Sequence, residues 1–270
     1  MYKKKTTLAL SLLIVSSLSG CANLNHKHNT AELTSQSMTA VNWLQTSGEY
    51  RALAYQVFNS ARLEWDSVSK KPTDKYAVIV DLDETMLDNS AYSAWQIKHN
   101  QPYSDKTWSQ WTQSRQALAV PGAVEFARYI SRHNGAIFYV SNRAQQDFTA
   151  TIENMRQLGF PDVNEKTVLL KTDSSNKQAR FNSITADGYN VIIYIGDNLN
   201  DFGSATYHKS SAERRQFAED NQKLFGTRYI ILPNPMYGDW EGALTPGYYK
   251  LSAGDQLQAR QNALRAWSGK

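Results

Sequence analysis

Short apolar runs, most of them β-branched, recur along the chain and predict the strands of a buried parallel sheet. These runs are residues 77–80, 136–140, 168–170, 191–195 and 229–232. Between them, apolar residues three and four positions apart predict helices. The clearest of these helices are residues 121–133, 149–158, 176–184 and 256–267. Strands that alternate with helices predict an α/β fold, with a parallel Rossmann-type sheet and helices on both faces.

Two further helical segments stand apart from this alternation. Residues 35–75 show helical spacing as far as Val68 and then a polar link, which predicts an N-terminal helical segment. Residues 89–119 are helical and rich in aromatic residues, and they lie between the first two strands. An insertion at that point covers the carboxyl edge of the sheet. We therefore expect a small helical cap at 89–119, joined by 35–75, over a core of residues 76–88 and 120–270.

The first 34 residues have the pattern of an exported lipoprotein. Three lysines precede an apolar run of signal-peptide length, which ends in Leu-Ser-Gly before Cys21, the only cysteine. This ending resembles the bacterial lipobox, which implies a signal peptide at 1–20 and a lipidated tether at 21–34. Ala22, in place of Asp, implies the outer membrane, facing the periplasm or the surface. The alternative is an ordinary signal peptide with an incidental Cys21.

The composition indicates only an ordinary globular protein, since 41% of residues are hydrophobic and 20% are charged. The formal net charge is +4, but three lysines lie in the segment expected to be removed. The remaining chain has 26 basic and 25 acidic residues. This balance gives no reason to expect a nucleic-acid polymer as a partner.

Two carboxylates, Asp81 and Asp83, directly follow the first predicted strand, and Thr85 comes next. Residues at i and i+2 of an extended chain share a face, and open α/β sheets bind ligands at this edge. Close carboxylates repel each other unless a cation lies between them, and Mg²⁺ prefers oxygen ligands. The alternative is purely structural: a strand end followed by an acidic turn. The apolar strand and Thr85 favour a catalytic or metal-binding site over this alternative.

The other strands end in groups that suit a phosphate ester. Ser141, Asn142 and Arg143 follow the second strand, and a serine hydroxyl with backbone N–H groups can hold a phosphate oxygen. The run 196–201, Gly-Asp-Asn-Leu-Asn-Asp, follows the fourth and carries acids at both Asp197 and Asp201. Lys171 and Lys177 follow the short third strand, and either lysine could face the site.

Together these motifs resemble those of the haloacid dehalogenase-like (HAD) phosphatases. More narrowly, they resemble the class C acid phosphatases of the bacterial outer-membrane lipoprotein e type. Asp81-Leu82-Asp83-Glu84-Thr85 matches the first motif, Ser141 the second, a lysine the third, and residues 196–201 the fourth. Lys177 is favoured over Lys171 because the family lysine usually starts a helix.

The resemblance implies a role for each matched residue. Asp81 would be the nucleophile and Asp83 the general acid and base. One Mg²⁺ per subunit would be held by Asp81, the Asp83 main-chain carbonyl and Asp197. Thr85 and Asp201 would support these ligands, and the phosphate would lie against Ser141, Asn142 and Lys177.

The implied activity is an Mg²⁺-dependent acid phosphatase or 5′-nucleotidase acting on nucleoside 5′-monophosphates, including nicotinamide mononucleotide. Trp108 in the cap and Tyr237 in the last loop are the candidates to stack on a base; packing is the alternative for both. The alternative functions are those of a sugar phosphatase or phosphotransferase, and of a lipid-anchored haem-binding protein. The latter would use some of the five histidines: His26, His28, His99, His133 and His208. Whether the chain is a monomer or a homodimer is left open.

Overall fold

In the computed structural model, which describes residues 27–269, a five-stranded parallel sheet forms the centre of the protein. Its strands are β1 (Lys75–Val80), β4 (Ala136–Ala144), β5 (Val168–Lys171), β6 (Tyr189–Gly196) and β7 (Tyr229–Ile231). The spatial order is β5-β4-β1-β6-β7, and every neighbouring pair is parallel. The predicted α/β fold is confirmed.

The alternation of side chains along β1 explains why both faces of the sheet are covered. Val78 and Val80 point into one apolar layer, whereas Ala77 and Ile79 point into the other. The first layer is closed by α3 (Gly48–Ser67), α6 (Ala123–Arg132) and α7 (Phe148–Leu158), and the second chiefly by α8 (Gln178–Ala186). A strand buried on both faces must be apolar throughout, as the sequence of β1 is.

The register of the central strands brings their carboxyl ends together. Val80 lies beside Tyr139 of β4 and Ile195 of β6. The backbone N–H of Asp81 still donates to the Ile195 carbonyl at 2.9 Å, so β1 and β6 end at the same level. Residues that follow these strands therefore meet at one edge of the sheet.

The segment between β1 and β4 forms two helices above this edge. They are α4 (Ser90–His99) and α5 (Asp105–Ser114), and they are flanked by a short antiparallel pair, β2 (Leu87–Asp88) and β3 (Leu118–Ala119). The Ser104 side chain accepts from the backbone N–H of Thr107 and so caps the start of α5. This is the segment in which the sequence predicts a helical cap.

The N-terminal region is more ordered than the sequence predicts. The prediction of a tether as far as residue 34 is wrong in part, because residues 27–35 belong to a helix, α1. Leu33 is buried, and its carbonyl accepts a hydrogen bond from Arg260 at 3.1 Å. A distant arginine thus fixes a segment whose own sequence is polar. The predicted signal peptide and Cys21 lie outside the described residues.

The predicted N-terminal helical segment is interrupted. It forms α2 (Met38–Thr46) and α3, and Ser47 caps α3 by accepting from the backbone N–H of Tyr50. Tyr50 packs with Val41 and Leu44 of α2 and with Met236 of the last loop. No helix among residues 27–269 is long and apolar enough to cross a membrane.

Several boundaries differ from the sequence prediction. Strand β4 continues to Ala144, so that Ser141 and Arg143 lie on the strand and do not follow it. The last long helix, α11 (Ala253–Asn262), starts earlier because Ser252 caps it. Helix α9 (Ser211–Asp220) was not predicted, since it is almost wholly polar. A single turn, α10 (Asp239–Gly242), follows β7.

Candidate active site

Four strand ends and one helix start supply the polar side chains at the carboxyl edge of the sheet. Asp81 follows β1, Ser141 lies near the end of β4, and Asp197 follows β6. Lys177 immediately precedes α8, beyond β5. The loop after β7 adds Asn234 from the far side.

Three carboxylates converge at this edge. Asp81, Asp197 and Asp201 each offer an oxygen within 4.8 Å of the other two. The buried ammonium of Lys177 forms ion pairs with Asp81 and, at 2.7 Å, with Asp201. Lys177, and not Lys171, is therefore the lysine at the site, as the start of a helix predicted. The cluster has three carboxylates and one ammonium, which pairs with two of them, so it has an excess of negative charge.

The electrostatics of the cluster show this excess. Burial raises the pKa of Asp81 to about 7, against the opposing effect of Lys177. Burial also raises the pKa of Asp197 well above its ordinary value, and the Asp201 and Asp81 carboxylates add to that shift. For Lys177, burial lowers the pKa, but the two carboxylates outweigh it and the net shift is upward. A further cation would relieve the repulsion among these acids.

The carboxylates are held in place by neighbours that the sequence analysis partly identified. Thr85 donates to Oδ1 of Asp197 at 3.3 Å, and Asn234 donates to Oδ2 at 2.8 Å. Asp201 accepts from the backbone N–H of Asn198 at 2.9 Å. A Cβ on Gly196 would lie 2.2 Å from Oδ2 of Asp201. Glycine is therefore required where this loop folds back against the strand end.

The second catalytic candidate, Asp83, has a different set of partners. Its Oδ1 accepts from Nε of Arg143 and from Nδ2 of Asn89, both at 2.9 Å. Its Oδ2 accepts from the Ser141 hydroxyl at 3.2 Å. Asp83 is absent from the converging carboxylates, since its side chain faces Arg143. The prediction that its main-chain carbonyl binds metal does not involve this side chain and stays a prediction.

Sequence reasoning missed Arg143 and Asn89 as site residues. Arg143 is 2% exposed in the structure. In the sequence it stood out only as the last residue of a polar triplet after a strand. The one signal for it is that a strand continuing through Ser141 would turn Arg143 to the same side as that serine. Asn89 starts the cap and carries no signal of its own.

Glu84 is a third missed group. Its carboxylate is 1% exposed, and it accepts from the backbone N–H of Asn89 at 2.8 Å. Burial raises its pKa well above the ordinary value, and the nearby Asp83 and Asp197 carboxylates add to the shift. Its backbone has φ +59°, an uncommon conformation for a residue with a side chain. The chain turns here so that Asp83 and Thr85 face the site.

The candidates for substrate contact lie around the rim. Trp108 is half-buried, with its ring edge-on to Tyr92 at 5.1 Å and the guanidinium carbon of Arg143 5.8 Å from its centroid. Tyr237 is half-buried and packs on the Val41, Leu44, Tyr50 and Met236 cluster. Its hydroxyl is buried without a hydrogen-bond partner among the described residues.

The side chain of Asn142 faces away from the converging acids. It donates to the Ser175 carbonyl at 2.9 Å and accepts from Arg180 at 2.6 Å. Only the backbone of Asn142 therefore retains the predicted role toward phosphate. The side chain instead ties β4 to the segment that carries Lys177.

The histidines among the described residues do not converge on a common site. His28, His99, His133 and His208 are all exposed and lie on separate elements. Ring nitrogens of His99 and His133 lie within hydrogen-bonding distance of carbonyls one helical turn earlier, which is a local surface arrangement. His26 lies outside the described residues.

Comparison with known proteins agrees with this geometry. The model of HAD superfamily subfamily IIIB (acid phosphatase) matches residues 3–240. The class C acid phosphatase from Bacillus anthracis has a similar structure, with a TM-score of 0.82 and 35% identity over 87% of this chain and 99% of that one. A second structure of that protein, with tungstate bound, matches equally well.

A more distant relative is acid phosphatase 1 of Solanum lycopersicum, which is 25% identical over 166 residues. The match spans 57% of that protein's length. The extent of the family match and the whole-chain structural similarity define the class. The chain belongs to HAD subfamily IIIB, a family of acid phosphatases, which are phosphomonoester hydrolases.

Proposed function

We propose that this protein is an Mg²⁺-dependent phosphomonoesterase that hydrolyses nucleoside 5′-monophosphates through an aspartyl-phosphate. The observation that carries the proposal is the convergence of the Asp81, Asp197 and Asp201 carboxylates within 4.8 Å, beside the buried Lys177. Carboxylate oxygens are the ligands that Mg²⁺ prefers, so the donor set fits this ion. Asp81, Asp197 and the Asp83 carbonyl would hold it, with Asp201 behind them.

The chain's own residues divide the reaction between them. A carboxylate oxygen of Asp81 attacks phosphorus, and the bond from phosphorus to the ester oxygen breaks in line. Asp83 donates its proton to that departing oxygen, which leaves as an alcohol. Asp83 then takes a proton from water as the water attacks the aspartyl-phosphate, so that inorganic phosphate is released and both aspartates are restored.

Electrostatics decide whether an anionic substrate can approach so many acids. Two unit charges 4 Å apart repel by about 4 kcal/mol at an effective dielectric constant near 20. Lys177 offsets part of this repulsion, and bound Mg²⁺ would supply further positive charge at the phosphoryl oxygens. The Ser141 hydroxyl and nearby backbone N–H groups would hold the transferring group. The tungstate bound by the Bacillus anthracis relative is itself an oxyanion, which supports an anion site in this family.

We infer the nucleotide substrate from two aromatic side chains near the site. Trp108 and Tyr237, each half-buried, come from separate segments of the chain, the cap and the last loop. Flat bases stack on such rings with about 1–3 kcal/mol each. Sugar phosphates lack a base and would gain nothing from these rings. A sugar phosphatase or phosphotransferase on the same scaffold is the competing function.

The test is phosphate release from a panel of 5′- and 3′-nucleotides, nicotinamide mononucleotide and sugar phosphates. Each substrate is assayed with Mg²⁺ and with excess EDTA. The proposal expects activity that requires the metal and is highest for 5′-nucleotides. Activity highest for sugar phosphates would replace the nucleotide with the competing substrate. Full activity in EDTA would overturn the role of Mg²⁺.

We also propose that Cys21 anchors the protein to the bacterial outer membrane. The support is the resemblance of residues 18–21 to a lipobox. Metabolic labelling with palmitate should label the wild type and not Cys21→Ser, and the variant should leave the membrane fraction. Unlabelled wild-type protein in the soluble fraction would contradict the anchor.

A further inference from the structure

The carboxylate of Asp83 is held asymmetrically. Oδ1 accepts hydrogen bonds from Nε of Arg143 and Nδ2 of Asn89, both at 2.9 Å, and it also lies 2.7 Å from Nη2 of Arg143. Among the described residues, Oδ2 has only the Ser141 hydroxyl, at 3.2 Å. An oxygen crowded by three N–H-bearing groups has no room for a proton. Oδ2 is therefore the atom that can carry and donate one.

Arg143 is fixed independently of Asp83. Its side chain is 1% exposed, and Nη1 donates to the Thr151 hydroxyl of α7 at 3.3 Å. Nη2 donates to Oδ1 of Asn89 at 3.1 Å. A guanidinium stays charged at all relevant pH values and presents its donors in a rigid fork. It therefore sets the orientation of the carboxylate that it pairs with.

Asn89 connects this pair to the cap. Its Oδ1 accepts from the indole N–H of Trp111 on α5 at 2.8 Å, while its amide nitrogen donates to Asp83. Helix α5 is itself fastened to the core by Asp147, which is buried and accepts from Ser109 at 2.6 Å and Gln113 at 2.8 Å. The position of α5 is thus transmitted through one amide to the general acid.

We propose that Asn89 and Arg143 are positioning residues through which the docked cap helix α5, by way of Trp111, holds Asp83 with Oδ2 free to protonate the leaving oxygen. This inference rests on the proposed function, in which Asp83 is the general acid. It makes proton transfer depend on a tryptophan whose indole N–H bonds to Asn89 and not to the reacting groups.

The distinguishing measurement is how kcat/KM depends on the leaving group. An ester of 4-nitrophenol leaves readily without a proton, whereas an alkyl phosphate needs one. A loss of acid positioning therefore penalises the alkyl ester selectively. A general loosening of the structure penalises both esters alike.

The main variant is Trp111→Phe, which keeps an aromatic ring and removes the N–H donor. We expect about a tenfold loss of kcat/KM for ethyl phosphate and less than about a twofold loss for 4-nitrophenyl phosphate. Arg143→Lys should show the same selectivity more strongly. The matched control is Trp95→Phe on α4, because Trp95 stacks on Tyr92 and His99 outside this network. It should leave the ratio of the two rates unchanged.

A double-mutant cycle with Asp83→Asn makes the test stricter. If Trp111 acts through Asp83, Trp111→Phe should cause no further selective loss once Asp83 cannot donate a proton. The inference is overturned if Trp111→Phe and Arg143→Lys, with wild-type unfolding temperatures, lower both rates equally. It is also overturned if the selective loss persists in the Asp83→Asn background. A wild type that hydrolyses neither ester and also fails to hydrolyse AMP would instead contradict the proposed function.

Discussion

Asp81 and Asp83 lie two residues apart at the end of the same strand, yet their surroundings are opposite in charge. Asp81 is grouped with two other carboxylates beside a single ammonium, that of Lys177, and burial raises the pKa of Asp81 to about 7. Asp83 faces a buried guanidinium, a side-chain amide and a hydroxyl. The carboxylates around Asp81 have too few positive charges beside them, whereas the carboxylate of Asp83 is paired with a guanidinium.

This difference supports the different tasks that we propose for the two carboxylates. The side that is short of positive charge would gain stability from a bound cation, which supports the proposal that the metal and the nucleophile lie there. The paired side gains nothing from a metal, but it fixes one carboxylate oxygen and leaves the other for a proton. Two identical side chains that follow one strand thus differ in their surroundings, and the proposed division of roles rests on that difference.

The largest expected effect is that of Asp81→Asn. An amide in place of the carboxylate removes the nucleophile, so no aspartyl-phosphate forms and turnover should fall below about one ten-thousandth of the wild-type rate for every ester. The measurement is steady-state phosphate release with both 4-nitrophenyl phosphate and AMP. Residual activity near the wild-type level would remove the covalent mechanism.

Asp83→Asn should have a smaller and more selective effect. General acid–base help is worth about 10²–10⁴ in rate, and it is needed most for poor leaving groups. We expect a loss in that range of kcat/KM for alkyl phosphates and a much smaller loss for 4-nitrophenyl phosphate. A loss that is uniform across esters would mean that the two carboxylates do not divide the work as their surroundings indicate.

The sequence predicted one side of this comparison better than the other. Asp81, Asp197 and Lys177 were predicted because each directly follows an apolar strand or starts a helix, where position alone implies a site. Arg143 and Asn89 were not, since their importance comes from burial and from partners more than 50 residues away. Strand periodicity does not encode such pairings.

The prediction of the fold succeeded and failed for the same reasons as the prediction of the site. The sheet was predicted because its strands are buried on both faces and read as unbroken apolar runs. The helix at residues 27–35 was missed because a contact from Arg260, and not its own sequence, orders it. Long-range contacts override local propensity where the local pattern is weak.

Asn234→Ala should weaken the metal side without removing a ligand. Asn234 donates to Oδ2 of Asp197 at 2.8 Å and so orients one of the acids. Loss of such a supporting hydrogen bond typically costs about 10–100-fold in metal affinity or activity. We expect the Mg²⁺ concentration for half-maximal activity to rise by that factor, with a smaller fall in activity at saturating Mg²⁺.

The control for this change is Asn190→Ala, because Asn190 is exposed and lies beside Tyr76 at the opposite end of the sheet. Its Mg²⁺ dependence should match that of the wild type. If Asn234→Ala and Asn190→Ala have the same Mg²⁺ dependence, Asn234 does not support a metal ligand.

The smallest expected effect concerns Tyr237, whose backbone N–H donates to Oδ1 of Asn234 at 3.5 Å and whose side chain packs on the N-terminal helices. Tyr237→Leu keeps apolar bulk but removes the aromatic face, and the lower end of base stacking, about 1 kcal/mol, corresponds to about a fivefold rise in KM for AMP. Ribose 5-phosphate has no base, so its KM should stay unchanged. Tyr237→Phe should leave both KM values unchanged, because the hydroxyl has no hydrogen-bond partner among residues 27–269. Equal rises for AMP and ribose 5-phosphate in Tyr237→Leu would reduce Tyr237 to a packing residue and leave Trp108 as the remaining candidate for the base.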